Sequence, residues 1–493
     1  MDEKTRSVDS VRPVARPTVP RQLNFARAGG LLLGIEVLGA VIGFAATVYF
    51  ASALGATRLG VFFLFEAALA TLATFSDFGL RGAVEKRISE GGEAGEMLAA
   101  TLLLKLALLG VLAVVVTAFR EAINDYVGAE VAALLVVAAL LYELSVLSIH
   151  VLRGELRTEQ TALLYFVRLV AYVAVAVVLI QFGYGAAALI YGLIASYLLM
   201  LAGGATRVST RLARPSRRHF RSLVDYAKYN GVWALGGHVY NTMDLLVIGY
   251  FLTQAHVAGY EIAWRLTLMA GLVGGIVGNT VFAQLSAWRT RGEFERIEGT
   301  VRESLTASLF LVVPAFFGVL LLSENLLGVV FGPEYVLAAG ALVVLMGEKI
   351  VAAVNVVFDA TIRAFDRPDI GAYATVVSLT VNIVLNVALV PRYGLLGAAA
   401  ATGLAMALNT AVLGVSLGRL HPVSFALRDI GWCVGAGAVM VLVLAGLATV
   451  VPPTTAPALV GHILLGGVVY FLVVLSSSSL RGKLRANVAN FTG

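Results

Sequence analysis

The sequence predicts an all-α polytopic membrane protein: about 14 transmembrane helices, in two six-helix lobes related by a parallel pseudo-twofold repeat around a central cavity, plus two C-terminal helices. Three observations predict it. Of 493 residues 59% are hydrophobic and only 13% charged, where a soluble chain carries about 25% charged residues, and the mean hydropathy is +0.88. Apolar blocks of about 20 residues, the length that crosses a bilayer core of about 30 Å, recur along the whole chain. Lys and Arg gather in alternate gaps between those blocks, as the positive-inside rule requires. The 36 Lys+Arg against 30 Asp+Glu therefore read as orientation signals and not as a nucleic-acid surface.

In chain order, residues 1–28 are a proline-containing polar N-terminal tail, whose composition reads as mobile and cytoplasmic. The N-lobe, 29–203, holds apolar segments near 29–53, 59–79, 97–118, 129–150, 161–181 and 184–203. The first is too long, and too closely followed by a second, for a cleaved signal. Residues 204–228 form a basic cytoplasmic linker with Arg211, Arg214, Arg217, Arg218 and Arg221, enough to attract anionic lipids. The C-lobe, 229–417, holds segments near 229–252, 257–283, 305–323, 336–360, 370–391 and 394–417. Helices 13 and 14 fall within 430–478 and a second cytoplasmic tail within 479–493. The gaps assigned outside keep only Arg58, Arg120 and Arg392, so both termini are expected to be cytoplasmic, in the plasma membrane.

Two echoes relate the halves. "YFASALGATRLGVFFLFEAAL" from Tyr49 matches "GYFLTQAHVAGYEIAWRLTL" from Gly249, aligning Gly60 with Gly259, and "FGYGAAALIYGLIAS" from Phe182 matches "RYGLLGAAAATGLAM" from Arg392. Six helices per half means both halves start from the same side, giving a parallel repeat.

Charged residues within the segments carry the chemistry, because a charge at the bilayer centre costs about 3 kcal/mol on insertion scales. The repeat sets Glu66 opposite Arg265, so unlike charges at equivalent points could form an inter-lobe gate. Opening that gate would free the Arg265 fork to grip an anionic group bidentately. A static i,i+4 bridge from Arg265 to Glu261 stands beside that reading. His238, Asn241 and Asp244 form a polar stripe in which Asp244 and Asn241 suit a transported H+ or Na+, and His238 suits bundle packing. Glu348, Asn355 and Asp359 share a face. Glu348 is a further ion-coupling candidate and Lys349 a cargo contact, their adjacency weakening a direct pair. Lys105 and Arg168, like Glu36 and Glu143 a turn or more inside a predicted membrane face, read as snorkelling anchors. Asp77 and His150 read as structural, and Asn382 and Asn386 as helix packing. GxxxG pairs such as Gly271/Gly275 permit close approach or bending.

Several classes are absent from the pattern. The single Cys433 excludes an intramolecular disulfide and cysteine-based metal chemistry. There is no GxxxxGK[ST] loop for ATP and no HExxH. The GxSxG match at Gly414–Gly418 ends a membrane helix, and the sequon at Asn490 lies in the cytoplasmic tail. No cofactor beyond a coupling ion, and no metal, is expected.

"FSDFGLRGAVEKRISE" from Phe75, "RRHFRSLVDYAKYNGVWALGG" from Arg217, "NTMDLLVIGYFLTQAHVAGYEIAWRL" from Asn241 and "NVALVPRYGLLGAAAATGLA" from Asn386, in order and at the right helix ends, resemble the polysaccharide-biosynthesis (Wzx-type) flippases of the MOP exporter superfamily. The resemblance implies a monomeric alternating-access transporter and not an enzyme. Its cargo would be polyprenyl-pyrophosphate-linked oligosaccharide, its driving force an H+ or Na+ gradient, and its partners the glycosyltransferases and polymerase of the pathway. A MATE-like multidrug antiporter and a lipid II flippase are the rival readings within the superfamily. A membrane polysaccharide polymerase or ligase is the rival from another class, although the short outside gaps leave little room for a catalytic loop.

Overall fold

The computed structural model describes residues 25–421 and 424–482; the tails, the sequon and the side chains of 25–33, Asn241 and 272–276, among a few others, lie outside the described residues. The elements are α1 (Phe25–Asp77), α2 (Leu80–Ser89), α3 (Ala94–Ala118), α4 (Arg120–Val127), α5 (Ala132–Gly154), α6 (Thr158–Gln181), α7 (Ala186–Ala205), α8 (Arg217–Phe251), α9 (Gln254–Arg291), α10 (Phe294–Val330), a 3-10 turn (Pro333–Ala338), α11 (Ala339–Ala364), α12 (Pro368–Leu420), α13 (Leu427–Val450) and α14 (Ala456–Ser476). Among the described residues there is no strand, and ten helices are long and apolar enough to cross a membrane. The chain is a multi-pass membrane protein.

Two of these helices, α1 and α12, are hairpins. Phe50 and Phe62 would lie about 18 Å apart on a straight helix, yet both rings sit within 6.2 Å of the Tyr172 ring. The break is Gly55, with φ 77° and ψ 165°. In α12, Asn382 Nδ2 donates to Thr402 Oγ1 at 3.2 Å, although 20 helical residues span about 30 Å. That chain reverses at Gly394, three residues after Pro391. Each apolar segment expected from sequence thus meets a helix or a hairpin arm. The sequence reading passed over α2, α4 and the 3-10 turn, and the linker it drew over 204–228 is helical from Arg217. These pieces are short or polar, so hydropathy gives no sign of them.

The turns repeat between the halves more closely than the sequence does. Gly185, before α7, and Gly394 share φ 58° and ψ −135°. The α5–α6 turn Arg153–Arg157 and the α11–α12 turn Arg363–Arg367 share one geometry. Leu156 and Asp366 are left-handed, at φ 62° and 55°. Arg157 N–H donates to Leu152 O as Arg367 N–H donates to Ile362 O, the 6→1 bond of a Schellman ending. This third echo, RxxxR at both turns, passed unnoticed in the sequence because only its arginines match.

The arginine-rich turns all lie at one end of the bundle, hereafter the basic face. There residues 207–216 run as a strap across the N-lobe. Glu155 accepts from Ser209 N–H, Thr210 N–H and the Thr210 hydroxyl at 2.7–2.8 Å. Partial burial pushes the Glu155 carboxyl up, but these donors, Arg157 among them, hold it below the usual range. Ala213 N–H bonds Gly95 O. At the start of α8, His219 Nδ1 accepts from Ser216 N–H, which leaves Nε2–H to donate to Glu93 at 2.9 Å. Helices α13 and α14 pack on α10, where the Tyr470 hydroxyl donates to Phe310 O at 2.8 Å.

Within the N-lobe, helices α1, α2, α3 and α5 are joined by a quartet of charges. Lys105 Nζ lies 2.6 Å from both Asp77 Oδ1 and Glu143 Oε2, and Arg81 Nη2 lies 2.5 Å from Glu143 Oε1. Lys105 and Glu143 are 0% exposed. Lys105 is therefore not the snorkelling anchor its position suggested: its ammonium ends on two carboxylates deep in the lobe. Two acids and two bases neutralise one another, and losing one partner of such a set costs about 3–5 kcal/mol because a buried charge is left uncompensated. Accordingly, Lys105→Met lowers the thermal unfolding temperature of the detergent-solubilised protein sharply. Lys105→Met with Glu143→Leu, which keeps the Asp77–Arg81 pair, recovers most of the loss; no recovery would argue against charge compensation as the source of stability.

Candidate functional site

The two lobes meet at both ends and leave a chamber between them. Toward the face opposite the basic one, a Cβ on Gly60 would lie 1.8 Å from Gln254 O, so only glycine lets the second arm of α1 touch the start of α9. Nearby the Tyr126 hydroxyl donates to Leu246 O at 2.7 Å, and Tyr335 to Ala51 O at 3.4 Å. Toward the basic face Gly231 approaches Phe78 O, Lys86 sits 4.8 Å over the Tyr226 ring, and Thr71 Oγ1 lies 3.1 Å from His238 Nε2. His238 is thus a packing contact, as expected, and the helix it bonds to belongs to the other lobe.

The chamber has a volume of about 260 Å³ and is lined by Phe63, Glu66, Leu69, Tyr142, Tyr197, Thr242, Glu261 and Arg265 among others. Glu66 is 11 residues past the Gly55 reversal and Arg265 is 11 past the start of α9, about 16 Å down each helix. Both stand near mid-membrane. The two pairings weighed for Arg265 coexist: its Nε donates to Glu261 Oε1 at 2.6 Å and its Nη2 to Glu66 Oε2 at 3.1 Å. The guanidinium also lies 4.6 Å from the Phe63 ring centroid, a cation–π arrangement. One guanidinium fork thereby joins two lobes through two carboxylates, and every gap that opens between the lobes at this level must break the Glu66 bond first.

A second polar centre lies within the C-lobe, on α8, α9 and the two arms of α12. Asp244, 5% exposed, accepts at Oδ2 from Tyr260 and Thr402 hydroxyls, both at 2.5 Å, and at Oδ1 from Asn386 Nδ2 at 2.8 Å. The amide oxygens of Asn382 and Asn386 are buried and have no hydrogen-bond partner. Orphaned buried acceptors are costly, and here they stand beside a carboxylate and two hydroxyls. Such an all-oxygen donor set with one negative charge fits a hard monovalent cation better than a soft transition metal. Sequence reasoning placed Asp244 here, gave Asn382 and Asn386 to packing, and missed Thr402 and Tyr260; an amide pair one turn apart was the available signal. Asn241, the third member of the proposed stripe, lies outside the described residues.

Glu348 and Lys349 form a third centre that does not line the chamber. Lys349 Nζ lies 2.8 Å from Glu348 Oε2 and 3.9 Å over the Trp264 ring, and Tyr240 donates to Glu348 Oε1 at 3.1 Å. Adjacent residues pair here after all, because the lysine stem is long enough to swing back. Asn355 and Asp359 go elsewhere, to Asn409 and Arg363. Arg168, read as an anchor, stacks on Tyr197 of the chamber wall, 5.6 Å from its centroid.

Comparison with known proteins agrees with this architecture. Residues 54–339 match the polysaccharide biosynthesis protein family model. The chain is 40% identical over 459 residues, 93% of its length and 97% of the relative's, to a probable low-salt glycan biosynthesis flippase, Agl15, of Haloferax volcanii. It is 28% identical to a probable flippase, AglR, of the same organism, covering 92% and 96%. Among solved structures it resembles the lipid II flippase MurJ in an inward closed conformation, with TM-score 0.77, 17% identity and coverage of 90% and 98%. It also resembles an inward-facing multidrug resistance MATE family transporter of the MOP superfamily, with TM-score 0.56, 17% identity and coverage of 78% and 94%. The family match extends over more than half of the sequence, and the chain belongs to the polysaccharide biosynthesis protein family.

Proposed function

We propose that this protein is a flippase that carries polyprenyl-pyrophosphate-linked oligosaccharide from the cytoplasmic to the outer face of the plasma membrane by alternating access. The observation that carries the reading is the cross-lobe fork of Arg265 on Glu66 and Glu261 inside a mid-membrane chamber, in a chain 40% identical to a glycan biosynthesis flippase. The basic face is the cytoplasmic one on the positive-inside rule, and both termini lie there. With the lobes in contact at both ends, passage of a cargo requires Phe78, Thr71 and Lys86 to part from α8. Separation of Glu66 from Arg265 exposes guanidinium donors that a pyrophosphate replaces, so cargo binding offsets the cost of opening the pair. The protein works as a monomer, alongside the glycosyltransferases and polymerase of its pathway.

Coupling rests on the Asp244 centre. A cation there would be held by Asp244 Oδ1 and Oδ2, Thr402, Asn382 and Asn386, tying the arms of α12 to α8; a proton on Asp244 is the other form of the same coupling, and Glu348 and Asn241 are the further candidates. One observation favours a different cargo: two carboxylates and the rings of Phe63, Tyr142 and Tyr197 line the chamber, a surface that suits an organic cation, as in a multidrug antiporter.

Two outcomes are expected. In a native host deleted for the gene, full-length lipid-linked oligosaccharide accumulates on the cytoplasmic face. Arg265→Glu and Glu66→Arg each fail to complement, while the double swap, which keeps one guanidinium among two carboxylates, restores part of the transport. Unchanged glycolipid with new drug sensitivity would favour the antiporter. For the coupling ion, sodium at about 100 times its Kd would stabilise the purified protein by about 2.7 kcal/mol where choline does not, and Asp244→Asn and Asn386→Leu lose that increment. A pH-dependent shift without sodium selectivity would identify the proton.

A further inference from the structure

Among the described residues, four cations deep in the bundle have carboxylate partners. Arg81 and Lys105 share Asp77 and Glu143, Arg265 is held by Glu66 and Glu261, and Lys349 pairs with Glu348. Arg168 has no ion pair and no hydrogen-bond partner among the described residues; its contact is the Tyr197 ring, and its charge is felt by Glu66 without a pair forming. It is half-buried and stands 10 residues from the start of α6 at Thr158, about 15 Å along the helix. That is more than the reach of an arginine side chain to the headgroups. An unpaired guanidinium at this depth is held at a cost unless it meets an anion at some stage of the cycle.

The surroundings say where that anion comes from. Tyr197 lines the chamber together with Tyr142, their rings 5.1 Å apart and edge to face. Arg81 supports Tyr142 from the quartet at 5.0 Å. Arg168 itself does not line the chamber but stacks on Tyr197, which does, with its five donors unspent, whereas Nε and Nη2 of Arg265 are already committed to carboxylates. Resting on the flippase reading above, we infer that Arg168, braced on Tyr197, is the N-lobe contact for the pyrophosphate of the lipid-linked cargo. It binds the anion while Arg265 is still tied to Glu66. Cargo is thus gripped from the N-lobe first, and the second guanidinium joins when the lobes part.

The test uses the purified full-length protein in nanodiscs with three probes of one chain length: polyprenyl pyrophosphate bearing a neutral disaccharide, the corresponding monophosphate, and free polyprenol. A lost charge-assisted hydrogen bond is worth about a tenfold change in Kd or more. Arg168→Gln is expected to weaken the pyrophosphate probe by at least about that factor, the monophosphate less, and polyprenol not at all. Arg168→Lys, which keeps the charge and loses the fork, falls between, and Tyr197→Ala weakens binding where Tyr197→Phe does not. Equal affinity of the wild type and both Arg168 variants for the pyrophosphate probe would overturn the assignment and leave the flippase reading standing, as would a change in thermal stability with no change in Kd. A wild type that fails to prefer the pyrophosphate probe over polyprenol would instead sink the flippase reading, and this contact with it.

Discussion

Charge cannot be left bare at hydrocarbon depth, and that constraint organises the whole molecule. The fork of Arg265 on Glu66 and Glu261 satisfies it across the gap between the lobes, so the same interaction that makes the charges tolerable also holds the halves together. A bond that crosses a moving interface is bistable in a way that a bond inside a lobe is not: it exists in one arrangement of the halves and must be replaced in the other. The replacement has to be anionic, since a released guanidinium needs a new acceptor.

The lobes share a frame but not a chemistry. Their turns share a left-handed φ and the closing hydrogen bond at Leu156 and Asp366, and φ and ψ at Gly185 and Gly394. Aspartate tolerates the left-handed region and leucine resists it, yet Leu156, 81% exposed, adopts it in the turn that the Arg157–Leu152 hydrogen bond closes. Inside the N-lobe Asp77, Arg81, Lys105 and Glu143 compensate one another, which makes for a stiff wall, and Arg168 stands apart from them. Inside the C-lobe Asp244 is satisfied while the neighbouring amide oxygens of Asn382 and Asn386 are not, which makes for a place where occupancy changes stability.

Much of the fold was legible from the sequence. Hydropathy located the apolar segments, because a bilayer enforces that pattern residue by residue along one chain, and the two short echoes are consistent with the repeated turns at Gly185 and Gly394. The hairpins at Gly55 and Gly394 were legible too, as gaps between apolar blocks. The site was legible in part: Glu66, Arg265 and Asp244 stood out simply as charges where charges are expensive. Lys105 and Arg168 looked alike in sequence, each a lone cation a few turns inside a segment, and the structure separates them completely. Lys105 ends on Asp77 and Glu143, which come from helices 28 and 38 residues away in sequence, and Arg168 ends on an aromatic ring.

The sequence by itself determined that the chain spans a membrane many times and that a handful of charges lie within the apolar region. These follow from composition and period, which are local properties. Only the tertiary structure decided which charges neutralise one another, that Arg265 serves both lobes at once, that Asn382 and Asn386 join Asp244 through the α12 hairpin, and that Arg168 is left over. The reason is physical: whether a buried charge is a strut, a gate or a binding site depends on the partner within about 3 Å of it, and that partner comes from a part of the chain whose distance along the sequence carries no trace of the contact.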